Sequence, residues 1–213
     1  MYGILLKEHD CMEPFKCITG IVAPMMAANI DTDVIMPKQF LKGIDRRGLD
    51  KGTFHDQRFL NDGTENPTFI LNQSPWRQAS FLVTGPNFGC GSSREHAVWG
   101  LKQLGIRALI GISFAGIFND NCQRNGVLTI TLDQKALKRI EQTATDGVDH
   151  RITVDLTEQR ITAGDDTILF DIDALKKHML VAGLDAIDYT LQYKEDIQQF
   201  EQRHFLANPW LKS

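Results

Sequence analysis

Ala79-Ser80-Phe81-Leu82-Val83-Thr84-Gly85-Pro86-Asn87-Phe88-Gly89-Cys90-Gly91-Ser92-Ser93-Arg94-Glu95 is the stretch on which the fold turns. Its first six residues are apolar and β-prone, the composition of a buried strand. Gly85 to Gly91 is a glycine-rich turn. From Ser93 to Leu104, Ala97, Leu101 and Leu104 recur at helical spacing, and Gly105 stands where a helix stops. Ile106 to Ile112 is apolar again and reads as a second strand. Strand, helix and strand with short joints make a βαβ unit, so the two strands are predicted to run parallel.

Upstream, Ile18 to Ala23 is a short apolar run that predicts a strand ended by Pro24, and residues 1–16 read as a poorly ordered or loosely packed extension. The segment Lys42 to Thr64 is rich in Gly, Asp and Arg and reads as a long irregular loop with a short helix. Loops of that length are often functional, which makes it a candidate substrate lid. Downstream, a short helix is predicted from Phe114 to Arg124, Asn125-Gly126 as a turn and Val127 to Leu132 as a strand. Asp133 is placed to cap a helix through Leu137 and Ile140. Residues 152–156 and 160–163 alternate like a hairpin, with Thr167 to Ile172 as a third antiparallel strand. Helices follow over Asp173 to Ala182, stopped at Gly183, and over Tyr189 to His204. The pattern predicts an α/β domain with a parallel core and a separate antiparallel patch, spanning residues 17–213 and closed by C-terminal helices.

The 213 residues are enough to bury a sizeable core. A formal net charge of −4 argues against nucleic acid as the main partner, because phosphate binding calls for a basic face. No window approaches the roughly 18 apolar residues of a membrane span. Lys7, Glu8, His9, Asp10 and Glu13 interrupt any signal-like apolar run near the start, so the expectation is a cytoplasmic protein without membrane contact. Cys11, Cys17, Cys90 and Cys122 are scattered, with no close-spaced pair. That spacing argues against a disulfide framework and against a self-contained zinc or iron–sulfur site.

The loop before the predicted helix carries the chemistry. Glycines let backbone turn sharply and approach a ligand closely. A helix start offers unpaired N–H groups and the positive end of the dipole to an anion. Arg94 adds a planar cation suited to carboxylates, and Ser92 and Ser93 add hydroxyls at the same mouth. Ser92-x-x-Glu95 is also a capping box, with Ser93 as an alternative cap, and capping alone would explain a serine and the glutamate. It would not explain the paired glycines or an arginine that opposes the dipole. No Gly-Lys-Ser/Thr follows, so this is not a Walker loop, and two glycines alone are a weak dinucleotide signal.

Gly89-Cys90-Gly91-Ser92-Ser93-Arg94-Glu95-His96-Ala97 resembles the signature of the swivelling domain in the aconitase family. Asn29-Ile30-Asp31-Thr32-Asp33-Val34-Ile35-Met36-Pro37-Lys38-Gln39-Phe40-Leu41 is similar to a second signature, that of the family's separately encoded isopropylmalate dehydratase small subunits. Further similarity runs through Ser113-Phe114-Ala115-Gly116-Ile117-Phe118 and Gly183-Leu184-Asp185, and the resemblance covers roughly Thr19 to Gln192. It implies a three-layer β/β/α swivelling domain with a parallel central sheet and an antiparallel second sheet. It also implies a hydro-lyase of leucine biosynthesis that interconverts 2-isopropylmalate and 3-isopropylmalate and is active only as a heterodimer with a large subunit. The large subunit is expected to carry a [4Fe–4S] cluster, so this chain binds no metal or cofactor of its own.

Carried over by motif, Ser92 corresponds to the catalytic base, and Ser93 and Arg94 to residues that hold the carboxylates of a small dicarboxylate substrate. Arg46 falls near a further substrate-binding arginine, with Arg47 as the neighbouring alternative. Asp33 and His96 are candidates for supporting roles, and Asp31 for ordering its loop. Leu49 or Ile44, in the loop Gly43 to Phe54, would offer an apolar contact to an isopropyl group. Trp99 departs from the pattern, standing where a smaller residue is expected. Two other readings fit the same residues: a related hydratase acting on a homocitrate-type or methylmaleate-type acid, and a non-catalytic anion-binding module.

Overall fold

A computed structural model describes residues 12–41, 47–146 and 148–211. The chain order is β1 (Cys17–Met25), α1 (Thr32–Ile35), α2 (His55–Arg58), β2 (Ala79–Thr84), α3 (Glu95–Gln103), β3 (Ala108–Gly111), α4 (Gly116–Arg124), β4 (Leu128–Thr131) and α5 (Gln134–Asp146), followed by β5 (Arg151–Asp155), β6 (Arg160–Ala163), β7 (Asp166–Leu169), α6 (Ala174–Ala182), α7 (Ala186–Leu191) and α8 (Lys194–Ala207). Short 3₁₀ turns fill parts of the connections. The predicted βαβ unit is present as β2–α3–β3, with Phe81 opposite Ala108 and Thr84 opposite Gly111 in parallel register. The helix ends as its glycine implies: Gly105 takes φ +99°, and the Gly105 and Ile106 amides donate back to the Lys102 and Leu101 carbonyls.

The strands form one seven-stranded sheet in the order β4-β3-β2-β1-β5-β6-β7. The mixed α/β composition is as predicted. The separate antiparallel sheet is not: β5, β6 and β7 continue the parallel strands through β1. The reason is the length of β1. Its nine residues span roughly 30 Å, enough for different partners at its two ends. Cys17–Ile21 pair antiparallel with β5, Ile21–Met25 pair parallel with β2, and the register shifts between Ile21 and Val22. Pro24, expected to end this strand, lies inside it opposite Val83. Pairing with β5 has ceased before Pro24, so its missing N–H costs no ladder bond on that side.

Alternation along the strands sends side chains to two apolar clusters. Val22, Phe81, Val83, Ala108 and Ile110 join Leu137 and Ile140 of α5, Leu180 of α6 and the inner residues of β5 and β6. Ala23, Leu82 and Leu109 face the other way, toward Ala97, Val98 and Leu101 of α3 and Phe118 of α4. Burial on both faces explains why β2 and β3 read as continuous apolar runs.

Three expectations need correction. Residues 12–16 are not a loose lead-in: Met12 and Phe15 are buried in the first cluster, and the Phe15 amide donates to the Leu180 carbonyl at 2.8 Å. Residues 1–11 lie outside the described residues. The helix predicted over Tyr189 to His204 is two helices: Asp185 caps α7 through the Ile187 and Asp188 amides, and Tyr193, outside helical geometry, separates it from α8. The third concerns the segment treated as a lid. Residues 42–46, including Ile44, lie outside the described residues, but Leu49, Thr53 and Phe54 are buried against α3 and the Phe54 amide donates to the Ile35 carbonyl. Leu49 is therefore a core residue rather than a contact for a substrate's apolar group.

Gly100 explains that close docking. A Cβ there would collide with the Thr53 hydroxyl and the Met36 methyl, and it would stand 3.3 Å from the Leu49 carbonyl. Thr53 cannot easily yield, because its hydroxyl is buried and donates to the Leu49 carbonyl at 2.9 Å. Gly→Ala inside a helix normally gains about 1 kcal/mol. Gly100→Ala is expected instead to lose about 1–3 kcal/mol by overpacking, seen as a lower Tm in thermal unfolding; a raised Tm would contradict the docking.

Candidate active site

The stretches that carried the resemblance meet in space. The Gly89 amide donates to the Ile30 carbonyl and the Thr32 amide to the Cys90 carbonyl, both at 2.8 Å, so residues 30–32 and 89–90 run side by side. On the other side, Phe88 exchanges backbone bonds with Ser113 and Ala115. Gly89 is required twice over: φ is +76°, and a Cβ would enter the Phe118 ring. Gly91, at φ +95°, completes the turn beside Asp31, where a Cβ would stand 3.3 Å from the aspartate's own Cβ. The loop thus brings Ser92, Ser93 and Arg94 to the start of α3.

The capping box is not formed. α3 begins at Glu95, Arg94 occupies the cap position, and no side chain bonds the first-turn amides. Ser92 is engaged elsewhere. Its amide donates to Thr32 Oγ1 at 3.1 Å, and its Oγ lies 3.1 Å from the same atom. Glu95 Oε1 accepts from Asn125 Nδ2 at 2.7 Å instead of returning to the loop. The start of α3 thus receives no capping bond from the residue before it, and two exposed serines stand beside it.

Arg94 is mostly buried, at 16% side-chain exposure, and folded along α1. Its Nη1 donates to the Met36 carbonyl at 3.4 Å and pairs with Asp33 Oδ1. Both contacts use one nitrogen, so Nη2 and Nε, one edge of the guanidinium fork, have no partner among the described residues. Asp33 also lies 3.9 Å from Lys38 Nζ. Asp31 serves its own helix, accepting from the Val34 amide at 2.8 Å. His96 stacks obliquely on Trp99, 4.6 Å between ring centres, and Trp99 Nε1 donates to Asn125 Oδ1 at 2.8 Å. The unexpected tryptophan therefore joins α3 to α4 through an asparagine that Glu95 shares. Arg46 lies outside the described residues; its neighbour Arg47 is exposed.

Sequence reasoning missed Thr32, Asn121 and Asn125. Asn121 is buried, and its amide donates to the Ser93 carbonyl at 3.4 Å, supporting the loop from α4. Thr32 lies within a signature stretch without a role read for it, and the roles of all three were hidden because their partners lie 28 to 60 residues away.

Among the described residues no three His, Cys, Asp or Glu side chains gather as a metal site. Cys122 is fully buried, and burial pushes its thiol well above the ordinary cysteine range. Cys17 is exposed on β1 and Cys90 half-buried in the loop. These cysteines do not fit a cluster-binding set. A cavity of about 670 Å³ lies between α3, α4 and α7, lined by Glu95, Trp99, Lys102, Arg124, Asn125 and Ile187. Ser92, Ser93 and Arg94 are not in its lining; the two serines are exposed and the arginine is mostly buried.

In this mixed α/β domain the exposed Ser92 and Ser93, the remaining edge of Arg94 and the start of α3 thus come together at one place. Residues 12–135 match the family model described as the aconitase C-terminal domain. The chain is 63% identical over 201 residues to 3-isopropylmalate dehydratase small subunit 1 of Mannheimia succiniciproducens, covering 94% of this chain and 100% of that one. It is 61% identical to the small subunit 2 of Salmonella typhimurium, covering 94% and 97%. A crystal structure of 3-isopropylmalate dehydratase from Methanocaldococcus jannaschii superposes with a TM-score of 0.61 at 28% identity, covering 87% of this chain and 99% of that one. The chain belongs to the aconitase family, in its branch of 3-isopropylmalate dehydratase small subunits.

Proposed function

We propose that this chain is the small subunit of an isopropylmalate isomerase, a hydro-lyase of leucine biosynthesis that interconverts 2-isopropylmalate and 3-isopropylmalate by dehydration and rehydration. The observation that carries the reading is the convergence of the signature stretches at the start of α3, in a chain 63% identical to a named small subunit. Ser92 Oγ takes the proton from the carbon beside a substrate carboxylate and returns it on rehydration. A serine hydroxyl is a poor base at neutral pH. The helix start and the Arg94 guanidinium supply a fixed positive field that favours its deprotonated form.

Ser93 and the free edge of Arg94 hold a substrate carboxylate, and Arg46, or its neighbour Arg47, is assigned to a second by its place in the motif. Asp33 and the Met36 carbonyl fix the other side of the guanidinium, so the fork is aimed before substrate arrives. His96 supports the helix start through Trp99. Ser92 and Ser93 are exposed at the mouth of the loop. That exposure supports a partner, the large subunit, that closes the site, and the family resemblance assigns the [4Fe–4S] cluster to it. No helix is long and apolar enough to cross a membrane among the described residues, and we place the heterodimer in the cytoplasm, acting on a small dicarboxylate rather than on nucleic acid or lipid.

Reconstitution tests this. The chain alone is expected to be inactive, and mixing with the large subunit should produce double-bond absorbance from 3-isopropylmalate. Turnover by this chain alone would overturn the split-site reading. A panel including homocitrate-type and methylmaleate-type acids, assayed on the reconstituted enzyme, tests the substrate.

A further inference from the structure

We infer that Thr32 is a positioning residue for Ser92, and that its hydroxyl follows the charge on Ser92 Oγ during proton transfer. The inference rests on Ser92 acting as the base. Thr32 is one of few buried polar residues, 1% exposed, although Ser92 itself is exposed. Three contacts join the two residues across 60 positions of sequence: the Ser92 amide to Thr32 Oγ1 at 3.1 Å, Thr32 Oγ1 to the Ser92 carbonyl at 3.2 Å, and Thr32 Oγ1 to Ser92 Oγ at 3.1 Å. Thr32 is itself immobilised, its amide donating to the Cys90 carbonyl at 2.8 Å and its backbone opening the helix that Asp31 caps.

A hydroxyl has one proton and two lone pairs. One lone pair of Thr32 Oγ1 accepts the Ser92 amide. Its single proton lies within reach of two acceptors on Ser92, the carbonyl oxygen and Oγ, at nearly equal distances. With Ser92 neutral, that proton serves the carbonyl, and the Ser92 O–H is free to orient. When Ser92 Oγ carries negative charge, the Thr32 proton turns toward it by rotation about Cβ–Oγ1, with no heavy atom moving. The resulting hydrogen bond is charge-assisted and about twice as strong as a neutral one. Burial keeps water from competing for the threonine. Thr32 retains its proton throughout; the proton that moves passes from substrate carbon to Ser92 Oγ and back.

The test uses the small subunit assembled with its large subunit. Thr32→Val keeps the branched shape and deletes the hydroxyl; Thr32→Ser keeps the hydroxyl. Thr32→Val is expected to lower kcat about 10- to 100-fold, the range of one charge-assisted hydrogen bond, with KM within about twofold. Losing the donor raises the pKa of Ser92, so the acid limb of the kcat–pH profile should move to higher pH. Thr32→Ser should restore both. In the unaltered full chain, the Ser92 amide should exchange slowly with solvent despite the residue's exposure. This measurement needs no variant to fold, and fast exchange would overturn the clasp. A Thr32→Val enzyme with ordinary kcat and pH profile would overturn the inference, as would a Thr32→Ser enzyme as impaired as Thr32→Val. Ser92→Ala separates the two levels. If it is inactive while Thr32→Val is normal, only this inference fails. If it is active, the base assignment fails and this inference with it.

Discussion

Ser92→Ala in the reconstituted enzyme is expected to lower kcat by about 10²–10⁴-fold, the usual contribution of a positioned base, while leaving subunit association and folding intact. The two halves of that expectation have separate grounds. The Ser92 hydroxyl stands at the exposed mouth of the loop, so removing one oxygen opens no cavity. The loop is held by backbone bonds that alanine keeps: the Ser92 amide to Thr32, the Thr32 amide to Cys90 and the Gly89 amide to Ile30. What alanine removes is the atom that receives the proton. Steady-state kinetics with copurification of the large subunit checks both halves. An unchanged kcat would take Ser92 out of the base role.

Arg94→Lys is expected to raise KM about 10- to 100-fold, equivalent to about 1.4–2.7 kcal/mol of lost binding, with a smaller effect on kcat. The arginine does two things at once. Nη1 is committed to Asp33 and the Met36 carbonyl, and the Nη2–Nε edge remains for a carboxylate. A lysine ammonium is a point charge without a fork, so it satisfies Asp33 or the substrate, but not both with good geometry. The net positive charge is unchanged, which separates loss of shape from loss of field. Initial rates over a range of isopropylmalate concentrations read the effect directly. An unchanged KM would mean that Arg94 does not touch a substrate carboxylate.

The legible part of the molecule is local. Continuous apolar runs, helical spacing and the glycine at residue 105 are short-range instructions, and they placed β2, α3 and β3 within two residues of where they lie. The turn from Gly89 to Gly91 and the helix start after it were legible for the same reason: positive φ and a helix start are properties of neighbouring residues. The capping box was misread because its serine and glutamate each have a stronger partner on another element, Thr32 and Asn125. Residues 49–54 were misread as part of a lid because composition reports the polarity of a segment and not what it docks on. Burial of Leu49 and Phe54 depends on Gly100, a helical glycine that local propensity counts only as a cost.

By itself, then, the sequence determined the βαβ core, the glycine turn and the residue types at the helix start, because each follows from steric and periodic rules acting over a few residues. The tertiary structure alone decided that β1 joins parallel and antiparallel strands in one sheet. It also decided that Asp33 and the Met36 carbonyl aim Arg94 and that Thr32 holds Ser92. These pairings join residues about 60 or more positions apart. They exist only once β1 and β2 pair and bring the loops that follow them together at one end of the sheet.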